Sequence, residues 1–240
     1  SDAAACRAGR VIFDEVRIHE RIDQLAASIA ADTQEPNEHH RVSITPAPSR
    51  SSHDSAPQAI RLPIWQVTGP TDVVQPAVRH EEADLTNRAP LLVLGVDRGS
   101  AVFAHHLAAA IEGIGVAIDR DRVTLTRHRT PQGERRVRIE RAPRTPVAGR
   151  RVLVVTDVVS TGLSLAYLAR WLERRGALQV DTCTLLDRRA ARLLEVLVRY
   201  VGFEAPNELL VGFGLHLRRQ FRHLPFIASL VSEPVAQLTD

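Results

Sequence analysis

Apolar and polar positions divide the chain into three textures. Near its start, Ile18, Ile22, Leu25 and Ile29 recur at helical spacing behind the strand-like "VIFDEV". This predicts a short strand and an amphipathic helix of about four turns. From residue 34 to residue 90 the regularity is lost. "EPNEHHRVSITPAPSRSSHDSAPQ" is polar and proline-rich and reads as a loop or partly disordered segment. "AIRLPIWQVTGPTDVVQPAVRH", with Trp65, is apolar enough to pack on something. A loop of this length inside a compact domain marks a lid, an interface or disorder.

From Leu91 a strand–helix rhythm sets in. "LLVLGV" reads as a buried strand and "SAVFAHHLAAAIEGI" as a helix. "VTLTRHR" and "RRVRIER" are strand-like segments around a Pro/Gly turn, and "RRVLVVTDV" is the strongest strand. "SLAYLARWLERRG" predicts a helix with Leu165, Leu168, Trp171 and Leu172 facing inward. "VDTCTLLD", "RYVGFEAP" and "LLVGFGL" supply further strands. The alternation predicts an α/β fold with a mainly parallel sheet flanked by helices. Three parts follow: residues 1–33 as an N-terminal strand and helix, 34–90 as an insertion, and 91–240 as the core.

Ligands of such sheets sit outside the carboxyl ends of the strands, which selects the loops for inspection. Asp97, Arg98 and Gly99 follow one strand directly, and Ser160, Thr161, Gly162 and Ser164 lead from the strongest strand into a helix. Small residues there let backbone N–H groups approach an anion, and the helix N-terminus adds positive potential. The rival reading is a plain helix cap by Ser160 or Thr161.

With 240 residues and 44% hydrophobic side chains, a substantial core is expected. No apolar run approaches the roughly 20 residues of a membrane span, so no membrane partner is expected. "SDAAACRAGR" lacks the apolar centre of a signal peptide, and a cytoplasmic protein is the expectation. Cys6 and Cys183 make no framework, and Cys183 in "VDTCTLL" reads as a buried, inert thiol. All 31 basic side chains other than histidine are arginine, which excludes lysine Schiff bases and lysine general bases. Aromatics at 4%, with no finger or basic-helix motif, argue against a nucleic-acid partner. His39, His40, His105, His106 and His223 read as surface or packing side chains, and Arg135, Arg136, Arg174 and Arg175 as solvated faces.

The order of the closing segments carries a resemblance. "TCTLLDRR", "YVGFEAPNELLVGFGL" and "QFRHLPFI" resemble the corresponding segments of the hypoxanthine-guanine type of purine phosphoribosyltransferase. "VIFDEVRIHERIDQLAASIAAD" is similar to that family's N-terminal strand and helix. The resemblance implies a type I phosphoribosyltransferase-like fold with a long insertion before the core. It also implies a reaction in which a purine displaces pyrophosphate from magnesium-bound phosphoribosyl pyrophosphate.

Position by position, the resemblance implies replacements. The family's third loop holds two acids, two aliphatics and then Asp-Thr-Gly. Here Thr156 stands for the first acid, Asp157 keeps the second, and Ser160 stands for the base near the purine. Thr161, Gly162 and Ser164 keep the phosphate-gripping character. Arg188 stands for the purine-carbonyl lysine, Leu209 for the stacking aromatic and His216 for a magnesium-binding aspartate, while Arg222 keeps the pyrophosphate arginine. The usual Leu-Lys-Gly is Asp97-Arg98-Gly99, and the Ser-Tyr pair of the mobile loop falls on Arg127 and His128.

Three carboxylate positions are thus lost, which weakens any magnesium site because that ion favours oxygen ligands. The leading expectation is a repurposed small-molecule enzyme performing a cyclisation, elimination or group transfer in specialised metabolism. Asp157, His216, Arg188 and His128 would be its catalytic groups. Arg98, Gly99, Ser160, Thr161, Gly162, Ser164, Val201, Leu209 and Arg222 would bind the ligand. No metal site is expected, since an Asp157–His216 pair offers too few ligands for a zinc-like ion. No cofactor is expected either, with magnesium entering only if purine transfer survives. The alternatives are an active purine phosphoribosyltransferase with an altered site and a non-catalytic ligand-binding or interaction subunit. A small-molecule substrate and a homo-oligomer complete the expectation.

Overall fold

The computed structural model of the protein describes residues 6–34, 44–46, 89–129, 135–206, 208–217 and 220–232. In chain order the elements are β1 (Cys6–Phe13), α1 (Glu15–Gln34), β2 (Ile44–Pro46), β3 (Leu91–Val96), α2 (Ala101–Gly113), β4 (Ile118–Arg129) and β5 (Arg135–Arg141). They continue with β6 (Arg151–Val159), α3 (Leu163–Arg174), β7 (Gln179–Asp187), β8 (Leu194–Val196), β9 (Tyr200–Glu204), β10 (Leu210–Val211) and β11 (Ile227–Ser232).

Six strands form the central sheet in the order β5-β4-β3-β6-β7-β9. All pairings are parallel except β4 with the edge strand β5. The strands read as continuous apolar runs because both faces are covered. Alternate residues of one strand enter different cores. Leu91, Val93, Leu153 and Val155 pack under α1 and α2 with Ile18, Leu25, Phe103 and Leu107. Leu92, Leu94, Val152 and Val154 pack under α3 with Leu165, Leu168 and Leu172.

Two features position the site. First, β3 pairs with only residues 118–123 of β4, while residues 124–129 pair with β5 alone. The β4–β5 hairpin therefore stands above the carboxyl edge of the sheet. Second, a small antiparallel sheet, β1-β11-β10, carries the Gly212–Leu215 bridge toward the same edge.

Several expectations need correction. β1 begins at Cys6 rather than at "VIFDEV", because its partner β11 reaches residue 232 and extends the ladder. α1 spans 20 residues, longer than the expected helix, since Ala26 and Ala30 continue the buried stripe. Trp171 packs against the core under α3 but is only half-buried, and the Arg175 guanidinium lies over its ring at 4.1 Å from the centroid. Within 34–90, Ile44–Pro46 pairs antiparallel with β8, so at that point the segment joins a sheet. Trp65, His39 and His40 lie outside the described residues. Cys183 is fully buried, and burial pushes its thiol pKa far up, as an inert core residue requires. Among the described residues, no helix is long and apolar enough to cross a membrane.

Candidate active site

The carboxyl ends of β3, β6 and β7 open on one side of the sheet, and the hairpin roofs part of it. Between hairpin and sheet lies a cleft of about 550 Å³. Its floor is apolar, from Val96, Leu125 and Val158 among others, and Arg127, His128 and Arg136 line its hairpin wall. Opposite them stand Ser160, Thr161, Gly162 and Ser164.

The turn from β6 into α3 is built around Gly162, the helix N-cap, at φ 80. A side chain there would be strained, and its Cβ would lie 2.6 Å from the Leu194 carbonyl oxygen. Gly162, the N-cap, has no side chain to cap the helix, and the Thr161 hydroxyl accepts the Leu163 N–H in a long bond of 3.5 Å. The plain-cap reading of "STGLS" keeps only this one long bond, with Gly162 and not Ser160 or Thr161 at the N-cap position. The first N–H groups of a helix have no partners inside it, and here they open beside the cleft. The backbone of the next loop clamps the turn, with the Leu193 and Leu194 N–H groups both donating to the Thr161 carbonyl at 3.1 Å.

Asp157 lies half-buried at the end of β6. Its Oδ1 accepts the Val158 N–H at 2.9 Å and the Thr156 hydroxyl at 3.4 Å. Its Oδ2 lies so close to Gly99 that a Cβ there would stand 2.2 Å away. Any side chain at this position would have to displace the carboxylate. Burial is the chief cause raising the Asp157 pKa; the bonds from Val158 and Thr156 oppose it, and the charge of Asp97 adds to it.

The other expected residues spread around this centre. Arg98 is exposed, and its carbonyl accepts the Ala101 N–H. Arg188 follows β7, and its guanidinium donates to the Glu208 carbonyl, which brings it beside Leu209. Leu209 is 53% exposed. Val201 lies on β9 opposite Thr184, with its carbonyl held by Arg21 Nη2 at 2.8 Å. His216 is exposed and bonds back to the Gly214 carbonyl at 3.3 Å. Arg222 is exposed, and its carbonyl accepts the Gly214 N–H at 3.0 Å. The structure thus gathers His128 with the 160–164 turn and Asp157 with Gly99. Asp157, His216, Arg188 and His128 make no hydrogen bond with one another among the described residues.

Sequence reasoning left two lining side chains, Arg127 and Arg136, out of the site, and with them the Asp97 partner of Arg127. Arg127 was noticed only as the match to a family serine, and Arg136 was assigned to a solvated face. Asp97 pairs with Arg127, Oδ2 to Nη2 at 3.0 Å. The available signal was the hairpin itself, whose alternation sends Arg136 across from His128. His106 packs edge-on against His19 at 5.0 Å and tilted against Phe213 at 5.4 Å, so it is a packing side chain.

Comparison with known proteins decides the family. The phosphoribosyl transferase domain family matches residues 77–217. The hypoxanthine-guanine phosphoribosyltransferase of Lactococcus lactis is 39% identical over 143 residues, covering 59% of this chain and 76% of that protein. The chain belongs to the phosphoribosyltransferase family. The Bacillus subtilis protein of the same name is 31% identical over 163 residues, covering 65% of this chain and 88% of its own. A crystal structure of a Bacillus anthracis hypoxanthine-guanine phosphoribosyltransferase superposes with a TM-score of 0.66 at 22% identity, covering 95% of this chain and 100% of that one.

These findings correct the leading expectation. A repurposed enzyme of specialised metabolism, with cyclase, elimination or other group-transfer chemistry, has no support among relatives that are named hypoxanthine-guanine phosphoribosyltransferases. The inference from replaced carboxylates overreached. Losing a general base typically costs about 10²- to 10⁴-fold, whereas enzymes commonly accelerate reactions by about 10⁶-fold or far more. A phosphoribosyltransferase can therefore lose one such group and keep turning over.

Proposed function

We propose that this phosphoribosyltransferase transfers the 5-phosphoribosyl group of phosphoribosyl pyrophosphate to a 6-oxopurine, hypoxanthine or guanine. The observation that carries the reading is the 39% identity with the Lactococcus lactis enzyme over 143 residues, and the family match at residues 77–217 contains the 160–164 turn. The geometry is consistent with it. The 160–164 turn offers helix-terminal amides and hydroxyls to the 5′-phosphate, and Asp157 accepts hydrogen bonds from the ribose hydroxyls. The purine ring nitrogen attacks ribose C1, and the C1–N bond forms as the C1–O bond to diphosphate breaks. Diphosphate leaves with the electron pair, and the ring-nitrogen proton passes to water because Ser160 carries no basic group. Arg188 is the donor for the purine carbonyl, and Leu209 covers the base with an apolar face. Arg98, Gly99 and Arg222 flank the leaving diphosphate.

Magnesium fits this donor set as part of the substrate. Among the described residues no three His, Cys, Asp or Glu side chains come together, so no all-protein cage exists there. Magnesium usually keeps several waters and takes one or two carboxylates plus substrate phosphates, and Asp157 would supply one carboxylate. Bound with diphosphate, the ion would neutralise charge on the leaving group.

The test is nucleotide formation followed by chromatography, with magnesium, phosphoribosyl pyrophosphate and each of hypoxanthine, guanine and adenine. The expected products are the hypoxanthine and guanine nucleotides. Failure with both oxopurines, with properly folded protein, would overturn the proposal.

A further inference from the structure

Arg127 leaves β4 on the cleft side, and its guanidinium has two partners. Nε donates to Ser164 Oγ at 2.8 Å, and Nη2 pairs with Asp97 Oδ2 at 3.0 Å. Asp97 is itself fixed. Its Oδ1 accepts the Leu125 N–H at 2.7 Å, and its backbone sits at φ 59, a region that non-glycine residues seldom adopt. Both oxygens of this carboxylate are thus committed to β4, one to its backbone and one to Arg127. Stability does not account for the arrangement. The Arg127 side chain is 55% exposed, and exposed ion pairs contribute little. An aspartate fixed through both oxygens, which holds a planar guanidinium at the first turn of a helix, orients that guanidinium.

We propose that Arg127 is a ligand of the substrate's 5′-phosphate, with Asp97 as its positioning residue. The proposal rests on the phosphoribosyl-transfer reading of the 160–164 turn. A phosphate monoester seated on the α3 amides takes donors from the turn on one side. Arg127 supplies a cation from the hairpin on the other side, with Arg136 on the same cleft wall. On binding, Nε exchanges the neutral Ser164 hydroxyl for an ionised phosphate oxygen. The Ser164 bond has one ionised partner and the phosphate bond has two, so the exchange adds the attraction of opposite charges. The two departures from the family pattern, Asp97 for a leucine and Arg127 for a serine, then form one unit.

Calorimetric titration of the full chain with ribose 5-phosphate tests this without requiring turnover. Arg127→Ala should weaken binding about 10- to 100-fold, as loss of a charged hydrogen bond does. Arg127→Lys, which keeps the charge and loses the planar fork, should fall between parent and alanine variant. Asp97→Asn should weaken binding about 3- to 10-fold alone and add nothing in the Arg127→Ala background, the mark of coupled residues. Unchanged affinity in Arg127→Ala overturns the proposal, and so does a parent that fails to bind ribose 5-phosphate. Tighter binding in Arg127→Ala also overturns it, since Arg127 would then be blocking the turn. Nucleotide formation with unchanged affinity in that variant sinks only this proposal. Weakened affinity with no nucleotide formed by the parent sinks only purine transfer.

Discussion

Asp157 is the acid left at the carboxyl end of β6, and its surroundings work against its charge. Burial raises its pKa, and the neighbouring Asp97 adds to the effect. A carboxyl whose pKa is higher in the folded chain holds its proton more tightly there than in the unfolded one. Stability therefore falls as pH rises from the unfolded pKa through the folded pKa. Above that window the ionised group carries its whole cost. Asp157→Asn removes the charge and keeps a polar side chain against Gly99. Its melting temperature should exceed the parent's at neutral pH, and the gain should vanish below about pH 3, where the unfolded carboxyl is protonated as well. A variant less stable than the parent at pH 7 would contradict the burial argument. A group that destabilises the fold where it stands is one whose presence function explains.

At the scale of elements, the 160–164 turn is held from outside by the loop after β7. That loop starts at a buried ion pair, Asp187 with Arg192, whose side chains are 3% and 6% exposed. Among the described residues, Arg192 Nη1 is buried without a hydrogen-bond partner, and the charges that support the guanidinium are those of Asp187 and Glu195. Removing one member of such a pair strands the other, typically costing about 3–5 kcal/mol. Asp187→Ala should lose about that much in urea unfolding, and it should also lose any rise in melting temperature produced by phosphate. A loss below about 1 kcal/mol would show that the pair does not hold the loop. The sequence made the strands and α3 legible because valine runs and leucine spacing are local signals. The Asp97–Arg127 pair was not legible, since it joins a β3 loop to a hairpin through a left-handed aspartate that no periodicity announces. The cap at Gly162 was hidden for a similar reason: serine and threonine beside it carry the stronger local cap preference.

For the whole molecule, the order of closing segments pointed to the fold, and the parallel sheet with its two covered faces agrees with it. The site was harder to read. Replacements at Thr156, Ser160 and His216 were visible as residues, but their weight depends on what else surrounds the cleft. Arg127 and Arg136 change that balance from the hairpin, and only the fold places them there. Asp157, which Gly99 is shaped to receive, remains the group through which the altered site and the reaction meet. The decisive measurement is nucleotide formation from phosphoribosyl pyrophosphate and hypoxanthine, run side by side in the parent and in Asp157→Asn. The parent should form the nucleotide, and the variant should be slower by about 10- to 100-fold, as loss of a charged hydrogen-bond partner implies. A parent that forms no nucleotide would contradict purine transfer, and a variant that matches an active parent would contradict the role given to Asp157.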